Sequence, residues 1–424
     1  MGHLNTEALL SSALDGTRVV ESGDERGEFA GLLLQSMGAE VVRMEGRRGS
    51  GSRRFGPYTT ADGDPEHSLC FRRYNLGKKS ISLEPDHPEA RNAMHRLVAS
   101  ADVVIDSGAA DDVVRRLASY REVRESNPRL IVCAITPFGL DGPYRDLEVT
   151  DLIQLAMGGV MASCGYDPRP DGVYDTPPIA PAMWQASHIA CEHAVIAILA
   201  ALNFRELTGE GDVIDLSIHE AVSTCTEVAM PTYIYNGNVV QRQTGRHAAE
   251  GRSRPWLRRT RDGRYVKAFM FWSGREVRVV AEMLDEAGVE HDLNSQEYRD
   301  LVKRSPSEAN NHFSQMIDRL AASMTAEELF HRAQAKGLLW ASVRRPEENL
   351  DDPHFQARGT FQPIHHPEIS RDLYYPVSVA TDGRNRVTAF ERGAPRLGEH
   401  NREVLSLAGL SEAEIAALVG AGAL

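Results

Sequence analysis

The sequence contains few cysteines and lacks a segment with the pattern of a signal peptide. Its five cysteines, Cys70, Cys133, Cys164, Cys191 and Cys225, are widely spaced and odd in number, and none forms a CxxC pair. Neither a disulfide framework nor a structural zinc site is predicted, and buried free thiols are expected. The first fifteen residues lack the basic region and the continuous apolar region of a signal peptide. We therefore expect a soluble, cytoplasmic protein without a membrane span.

Positive charge is also scarce relative to negative charge. The chain has 47 Lys and Arg residues against 60 Asp and Glu residues, a formal net charge of −13. This balance argues against a general binder of nucleic acid or anionic membranes. A small anionic ligand stays compatible with it, because such a ligand senses only its local site. At 424 residues the chain also exceeds the size that one hydrophobic core usually supports, so two domains are predicted.

The first half of the sequence alternates between strand-like and helical patterns. Thr17–Ser22 and Ala39–Met44 are rich in β-forming residues, and Phe29–Met37 between them is helical. Asp102–Ile105 and Arg129–Ile135 are continuous apolar runs, typical of strands buried in a parallel sheet. Strands separated by helices predict right-handed βαβ units, and hence an α/β fold with a Rossmann-like sheet.

The pattern changes near residue 225. The pair Asp262–Gly263 between two extended runs predicts a β-hairpin, and helical patterns follow it. From about residue 325 the pattern is again like that of the first half. We therefore predict a large domain formed by residues 1–225 and 326–424, with a small central α+β domain at 226–325. The long apolar helical pattern at 184–206 is expected in the core of the large domain.

Six segments, taken in order, resemble the class III (CaiB/BaiF-type) CoA-transferase family. They are GEFAGLLLQSMGAEVVRME (27–45), YNLGKKSISLE (74–84), NPRLIVCAITPFGLDGPYRD (127–146), DLIQLAMGGVMASCG (151–165), AILAALNFRELTGEGDVIDLSIHEA (197–221) and APRLGEHNREVL (394–405). The resemblance implies a Rossmann-like large domain, a small central domain and two interlocked subunits. It also implies an acyl-CoA substrate and no metal or organic cofactor.

The family's mechanism depends on an aspartate that this sequence lacks at the matching position. In the family, an aspartate carboxylate attacks the thioester and passes through anhydride and aspartyl-CoA intermediates. That aspartate lies eleven residues before the Ile of an ILAAL pattern, which begins here at Ile198, so the matching residue is Ser187. No aspartate occurs between Asp175 and Asp212. Related racemases add a histidine just before the DLI-like segment, and Thr150 stands in its place.

The same resemblance assigns five residues to CoA binding. Arg115 matches an arginine that the family uses on the CoA phosphates, a role that suits the charge and forked donors of a guanidinium. Arg47 matches an arginine near the adenine, and Leu83, Ser107 and Gly108 match positions that line the nucleotide pocket.

These assignments leave two main functions open. The first is a catalytically silent subunit that pairs with an aspartate-bearing homologue, as in the benzylsuccinate CoA-transferase type. The second is a stand-alone CoA-transferase, as a homodimer, that uses another carboxylate, for which Asp167, Asp171 and Asp175 in a Pro/Gly-rich loop are candidates. An acyl-CoA racemase or isomerase, or a simple CoA-binding protein, ranks below both. In every case acyl-CoA is the expected small-molecule partner.

Overall fold

The computed structural model describes residues 13–84, 87–226, 228–376, 390 and 392–424, so most of the N-terminal segment without a signal-peptide pattern lies outside the described residues. The described part contains eleven strands. They are β1 Arg18–Gly23, β2 Glu40–Glu45, β3 Lys79–Ser82, β4 Val103–Ser107, β5 Ile131–Thr136, β6 Val213–Ser217, β7 Leu257–Arg259, β8 Tyr265–Ala268, β9 Trp340–Ser342, β10 Phe361–His366 and β11 Arg371–Pro376.

Fifteen α-helices occur in the same described ranges. They are α1 Glu28–Ser36, α2 Leu69–Tyr74, α3 Pro88–Ala99, α4 Ala110–Ser126, α5 Asp151–Met157, α6 Gln185–Thr208, α7 Ile218–Ser223, α8 Ala229–Asn236, α9 Gly274–Glu286, α10 Gln296–Arg304, α11 Pro306–Ser323, α12 Ala326–Ala335, α13 Pro353–Ala357, α14 Asn401–Leu407 and α15 Glu412–Ala421.

The central sheet is six-stranded, with the order β3-β2-β1-β4-β5-β6, and every neighbouring pair is parallel. Its inner strands β4 and β5 are buried along their whole length, as their continuous apolar runs predict. Helices α3, α4, α14 and α15 cover one face of the sheet, while α1, α6 and α7 cover the other. The predicted α/β fold with a Rossmann-like sheet is therefore confirmed.

The strand order reverses between β1 and β4, and the backbone there is closely packed. Gly23 ends β1 with a φ of 97°, and a Cβ atom added to it would lie 1.9 Å from the carbonyl oxygen of Ser107 at the end of β4. Only glycine fits such an approach in a left-handed conformation. In open parallel sheets, ligands bind at this reversal, beyond the carboxyl ends of the strands.

The chain divides into two compact units. One comprises residues 1–161, 180–226 and 353–424, and the other comprises residues 162–179 and 227–352. The second unit therefore extends beyond the predicted 226–325 to Asp352. The reason is that β9 pairs with β8 in an antiparallel sheet with β7, and α12 packs against that sheet. The helical and strand patterns at 326–344 predict the type of each element but not which of the two hydrophobic cores it packs against.

Four charged side chains are buried where β1, β2 and α1 pack together. Arg43 Nη1 donates to Glu21 Oε1 at 2.9 Å, and Lys78 Nζ donates to Glu21 Oε2 at 2.8 Å. Arg43 Nη2 also lies 3.3 Å from Glu28 Oε1, and all four side chains are 0% exposed. A Cβ atom on Gly31 would lie 1.8 Å from Glu21, so α1 carries glycine where it passes over this buried ion cluster.

Helix α6 has two different faces. By length and composition it could cross a membrane, but Ala190, Ala194 and Ile198 are fully buried against the sheet and its neighbouring helices. Phe204 and Leu207 are exposed on the opposite side. The expectation that the whole helix is core is therefore wrong for one face. Of the five thiols that were expected to be buried, those of Cys133 and Cys191 are buried, those of Cys70 and Cys164 are partly buried, and that of Cys225 is exposed.

Candidate functional site

A cleft of about 370 Å³ opens at the strand-order reversal. Glycines line much of it, so the backbone is accessible to a ligand there. The cleft is lined by Ser22, Gly23, Asp24, Met44, Glu45, Gly46, Gly49, Ser50, Gly51, Arg54, Leu83, Ser107, Gly108, Ala109, Asp112 and Arg116. Three residues predicted from the sequence, Leu83, Ser107 and Gly108, therefore meet in one cleft.

Two arginines that the sequence analysis did not select also line this cleft. Arg116 is oriented by Asp106, which accepts from Arg116 Nε at 2.8 Å and from Arg116 Nη2 at 2.6 Å. Tyr120 Oη donates to the same carboxylate at 2.9 Å. Burial raises the pKa of Asp106, and the bonds from Arg116 oppose that rise. Arg54, the second arginine, donates to the Arg48 carbonyl at 3.3 Å.

The two predicted CoA-binding arginines lie elsewhere. Arg115 is exposed on α4, pairs with Asp112, and lines a neighbouring groove that shares Asp112 and Arg116 with the cleft. Arg47 lies outside the cleft lining, and its Nη1 donates to the Gly422 carbonyl at 3.3 Å. The buried residues of α4 include Val113, Leu117 and Tyr120. Arg116 lies three residues after Val113 and four before Tyr120, and residues at these spacings are neighbours on a helix surface. This periodicity could have distinguished Arg116 from Arg115.

Ser187 lies in the first turn of α6, where an aspartate from another helix provides the cap. Trp184 precedes α6 with a φ of 55°, and an indole offers no acceptor for the free N–H groups of the first turn. Asp151, the first residue of α5, accepts from the Ser187 N–H at 2.9 Å and from the Ala186 N–H at 3.3 Å. Ser187 Oγ also donates to Asp151 Oδ1 at 2.9 Å.

A second cavity of about 420 Å³ has Ser187 in its wall, and we call it the acyl cavity after the acyl-CoA that the sequence resemblance implies. Ser187 is 6% exposed, so it faces this cavity and not open solvent. Most of the wall is apolar. The residues that line the acyl cavity are Glu25, Arg26, Phe55, Val149, Thr150, Asp151, Leu152, Leu155, Pro181, Met183, Trp184 and Ser187. Thr150, which stands where racemases have histidine, caps α5 by accepting from the Ile153 N–H.

The hydroxyl of Ser187 is poorly placed to act as a nucleophile. A serine needs a neighbouring base that takes its proton. His188 is adjacent in sequence, but its Nε2 is hydrogen-bonded to Tyr74 Oη at 2.8 Å and its ring stacks on Phe29 at 4.3 Å. Burial and the charge of Arg73 lower the pKa of His188. The group that holds the Ser187 hydroxyl is thus a carboxylate that also caps a helix.

The acidic groups near Ser187 differ from those in the predicted loop. Glu25 lines the acyl cavity, and burial together with the charge of Asp24 raises its pKa. The loop acids belong to the second unit. Asp167 there accepts from Arg246 at 2.6 and 3.0 Å, Asp171 pairs with Arg169, and Asp175 is exposed. Among the described residues, Glu25 and Asp151 are the carboxylates that line the acyl cavity.

In the described ranges, no group of three or more His, Cys, Asp or Glu side chains has a metal-binding arrangement. The cleft offers glycine backbone and two guanidinium groups, and the acyl cavity offers a mostly apolar wall with two carboxyl groups.

Comparisons with known proteins identify the family. The sequence model of CoA-transferase family III matches residues 14–401. Succinyl-CoA–D-citramalate CoA-transferase of Chloroflexus aurantiacus is 29% identical over 423 residues, which cover 96% of each chain. Succinyl-CoA:(R)-benzylsuccinate CoA-transferase subunit BbsE of Thauera aromatica is 26% identical over 409 residues, covering 96% of this chain and 97% of that one.

A solved structure agrees with this assignment at the level of the fold. The crystal structure of a CaiB/BaiF family protein from Brucella suis has a TM-score of 0.76 and 23% sequence identity, and it covers 93% of this chain and 99% of that one. The resemblance in the six segments and the extent of the sequence match lead to one conclusion: the chain belongs to CoA-transferase family III.

Proposed function

We propose that this chain is a catalytically silent subunit of a heteromeric CoA-transferase, which binds a CoA thioester and pairs with a homologue that carries the catalytic aspartate. The observation that carries the proposal is the environment of Ser187. Its hydroxyl is hydrogen-bonded to Asp151 at 2.9 Å, and the neighbouring His188 is bound to Tyr74. The acceptor of the Ser187 proton is therefore a carboxylate, which is a much weaker base than the imidazole that usually activates a serine nucleophile.

The family's chemistry explains why a serine makes the subunit silent. Transfer of CoA to a carboxylic acid through an enzyme-bound anhydride needs a carboxylate as the attacking group. A serine hydroxyl attacking a thioester would form an acyl ester and release CoA as the thiol. Attack of CoA on that ester only re-forms the substrate, so no enzyme-bound CoA thioester can arise. The match of Ser187 to the family's aspartate rests on the register of the ILAAL segment at 198–202.

Binding of a CoA thioester is supported by the cleft at the strand-order reversal. Glycine-lined backbone and the guanidinium groups of Arg54 and Arg116 suit a nucleotide with phosphates. We assign Leu83, Ser107 and Gly108 to the same role, because they line that cleft. Arg115 in the neighbouring groove is assigned to the phosphates, and Arg47 would need to leave its bond with Gly422 to take part. CoA is then a ligand, and no separate cofactor is proposed.

Two observations support pairing with a homologous subunit: an exposed apolar face on α6 and a relative that is named as a subunit. The relative from Thauera aromatica is itself named as a subunit. The exposed face of α6 carries Ile196, Phe204 and Leu207, and large apolar surfaces of this kind mark protein interfaces. We propose an interlocked dimer in the cytoplasm, with this chain and an aspartate-bearing homologue as its two subunits.

A second candidate function follows from Asp151. Its carboxylate lies beside Ser187, where the family's carboxylate is expected, so a stand-alone CoA-transferase could use it as the nucleophile. Three hydrogen bonds occupy the oxygens of this carboxylate at the start of α6, so they are less available to attack a thioester. The silent subunit is therefore the preferred function.

One trapping experiment separates the two functions. The purified chain and its Ser187→Asp and Ser187→Asn variants are incubated with a panel of radiolabelled acyl-CoA compounds. Adducts are trapped with hydroxylamine or borohydride and located by mass spectrometry. We expect adduct at residue 187 in Ser187→Asp alone. Ser187→Asn is the matched control, because it has similar size but no carboxylate.

The remaining outcomes are equally informative. Adduct at Asp151 in the unmodified chain would establish the stand-alone transferase and overturn the silent subunit. Transfer activity that appears only after an aspartate-bearing homologue co-purifies with the chain would support the heteromeric enzyme. A chain that sediments as a folded monomer at low concentration would contradict the proposed dimer.

A further inference from the structure

We propose that the acyl cavity accepts an uncharged, apolar acyl group, and that Glu25 excludes acyl groups with a free carboxylate at their far end. This inference rests on the proposed binding of a CoA thioester. It adds the chemical class of the acyl group and a residue that selects it.

The walls of the acyl cavity favour apolar groups. Phe55 and Trp184 pair within it, with ring centroids 5.3 Å apart and planes tilted by 45°. Leu152 and Met183 add large side chains that are 54% and 65% exposed, so an acyl group would cover apolar surface that water now contacts. The volume of about 420 Å³ lies within the range of about 300–1,000 Å³ that is typical of small-molecule sites.

The charges in the same wall disfavour an anion. Glu25 and Asp151 both contribute carboxyl groups. Arg26 is the one Lys or Arg among the described residues that line this cavity, and its Nη1 lies 2.5 Å from Asp24 Oδ2. Arg26 Nη2 also donates to the Val149 carbonyl at 3.2 Å. A carboxylate at the far end of the acyl group would lie near Glu25 and Asp151. The one cation of the described wall, Arg26, is already paired with Asp24.

Glu25 lies at the border between the cleft and the acyl cavity. Asp24, its neighbour, lines the cleft, and a Cβ atom added to Gly51 of the cleft would lie 3.0 Å from Glu25 Oε2. A thioester whose nucleotide lies in the cleft would pass this carboxyl on its way to the acyl cavity. Burial and Asp24 disfavour the charge on Glu25, which Arg26 and Arg43 only partly offset, so an additional anion nearby would raise the cost further.

The test compares two ligands that differ in one group. Butyryl-CoA and succinyl-CoA have acyl chains of four carbons, which end in a methyl group and a carboxylate, respectively. Affinities for the full-length protein are measured by titration calorimetry and by tryptophan fluorescence, with free CoA as reference and benzoyl-CoA as a larger apolar probe. We expect butyryl-CoA and benzoyl-CoA to bind at least tenfold more tightly than succinyl-CoA. The fluorescence response should disappear in Trp184→Phe.

Variants then identify the selecting residue. Glu25→Gln should reduce the ratio of butyryl-CoA to succinyl-CoA affinity at least fivefold, through tighter binding of succinyl-CoA. Glu125→Gln, at an exposed position on α4, is the matched control and should leave the ratio as it is. A merely structural role for Glu25 would change all affinities together.

Each outcome decides between the inference and the function on which it rests. Equal binding of succinyl-CoA and butyryl-CoA by the unmodified chain would overturn the inference while leaving CoA binding intact. Failure of every CoA compound would count against the proposed function. In that case the N-acetylcysteamine thioesters of butyrate and succinate, which need no nucleotide cleft, probe the acyl cavity directly. Preference for the butyryl thioester would uphold the inference, and lack of preference or of binding would overturn it.

Discussion

Glu21 and Glu25 lie four residues apart around the end of the first strand, yet the surroundings of their carboxyl groups are opposite in character. Glu21 is 0% exposed and receives hydrogen bonds from Arg43 and Lys78 at 2.9 and 2.8 Å. Glu25 lines a cavity, and burial together with the charge of the neighbouring Asp24 raises its pKa. The first carboxyl group is part of a buried ion cluster, and the second faces space that a ligand can fill.

The difference shows how one short segment can serve both stability and recognition. A buried charge persists only when partners compensate its loss of water, which the ion cluster provides. A partly buried carboxyl group whose loss of water is not fully compensated by partners destabilises the fold. Such groups concentrate at functional sites. We therefore expect substitutions in the buried ion cluster to affect mainly unfolding, and substitutions of Glu25 to affect mainly binding.

The largest effect is expected from removing one cation of the buried ion cluster. Arg43→Met should lower the free energy of unfolding by about 3–5 kcal/mol, because Glu21 and Glu28 would remain buried with one partner fewer. Urea denaturation followed by circular dichroism measures this loss. Arg47→Met, four residues later and exposed, is the control and should stay within about 0.5 kcal/mol. A loss below about 1 kcal/mol for Arg43→Met would refute the cluster's role in stability.

The next effect concerns pH and Glu45, at the end of β2. Burial opposes its ionisation, but hydrogen bonds and charge from Arg53, together with Arg43, outweigh burial and lower the pKa of Glu45 to about 2. Because this folded-state pKa is below the usual 4.5, the contribution is present above pH 4.5 and is lost as the pH falls towards 2. It amounts to about 3 kcal/mol. The unfolding free energy of Glu45→Gln should be lower at neutral pH and should decline less on acidification. If the free energy of unfolding fell equally steeply with acidification in the parent and in Glu45→Gln, this prediction would be contradicted.

A smaller effect is expected at the corner that holds Ser187. Asp151→Ala should lower the free energy of unfolding by about 1–2 kcal/mol, because the first turn of α6 would lose the acceptor of its N–H groups. Thermal denaturation measures the loss, with Asp141→Ala in an exposed turn as the control. The affinity for free CoA should not change, because Asp151 does not line the cleft. A drop in CoA affinity as large as the loss of stability would show that the two cavities are not separable.

The smallest effect on stability is expected at Glu25 itself. Its pKa is raised, so the folded state becomes less stable as the pH rises from about 4.5 through that pKa. Glu25→Gln removes this penalty, and its melting temperature should exceed that of the parent at pH 8 by more than at pH 4. The gain should stay below about 1 kcal/mol. A destabilised variant at pH 8 would mean that the Glu25 carboxylate supports the fold, contrary to the comparison with Glu21.

Much of the architecture could be predicted from local sequence patterns. Alternating apolar runs and amphipathic segments predicted the parallel sheet and the helices on it, because strand and helix periodicities are local properties. The six family-like segments predicted CoA-transferase family III, and the match over residues 14–401 confirmed it. Leu83, Ser107 and Gly108 were assigned to one site by resemblance, and parallel strands bring them together because their carboxyl ends meet at one edge of the sheet.

The remaining features depend on contacts between residues far apart in the chain. Sequence alone determined that a serine stands in the first turn of α6, whereas only the tertiary structure decided that Asp151, 36 residues earlier, would hold it. The end of the second unit at Asp352 depended on β9 pairing with β8, about 70 residues away, as Trp340 meets Ala268. The tertiary structure also decided that Glu21 is paired in the buried ion cluster and that Glu25 lines a cavity. Burial, partners and cavities arise when distant segments pack, and no local pattern of apolar and charged residues specifies which carboxyl group will be paired and which will face a ligand.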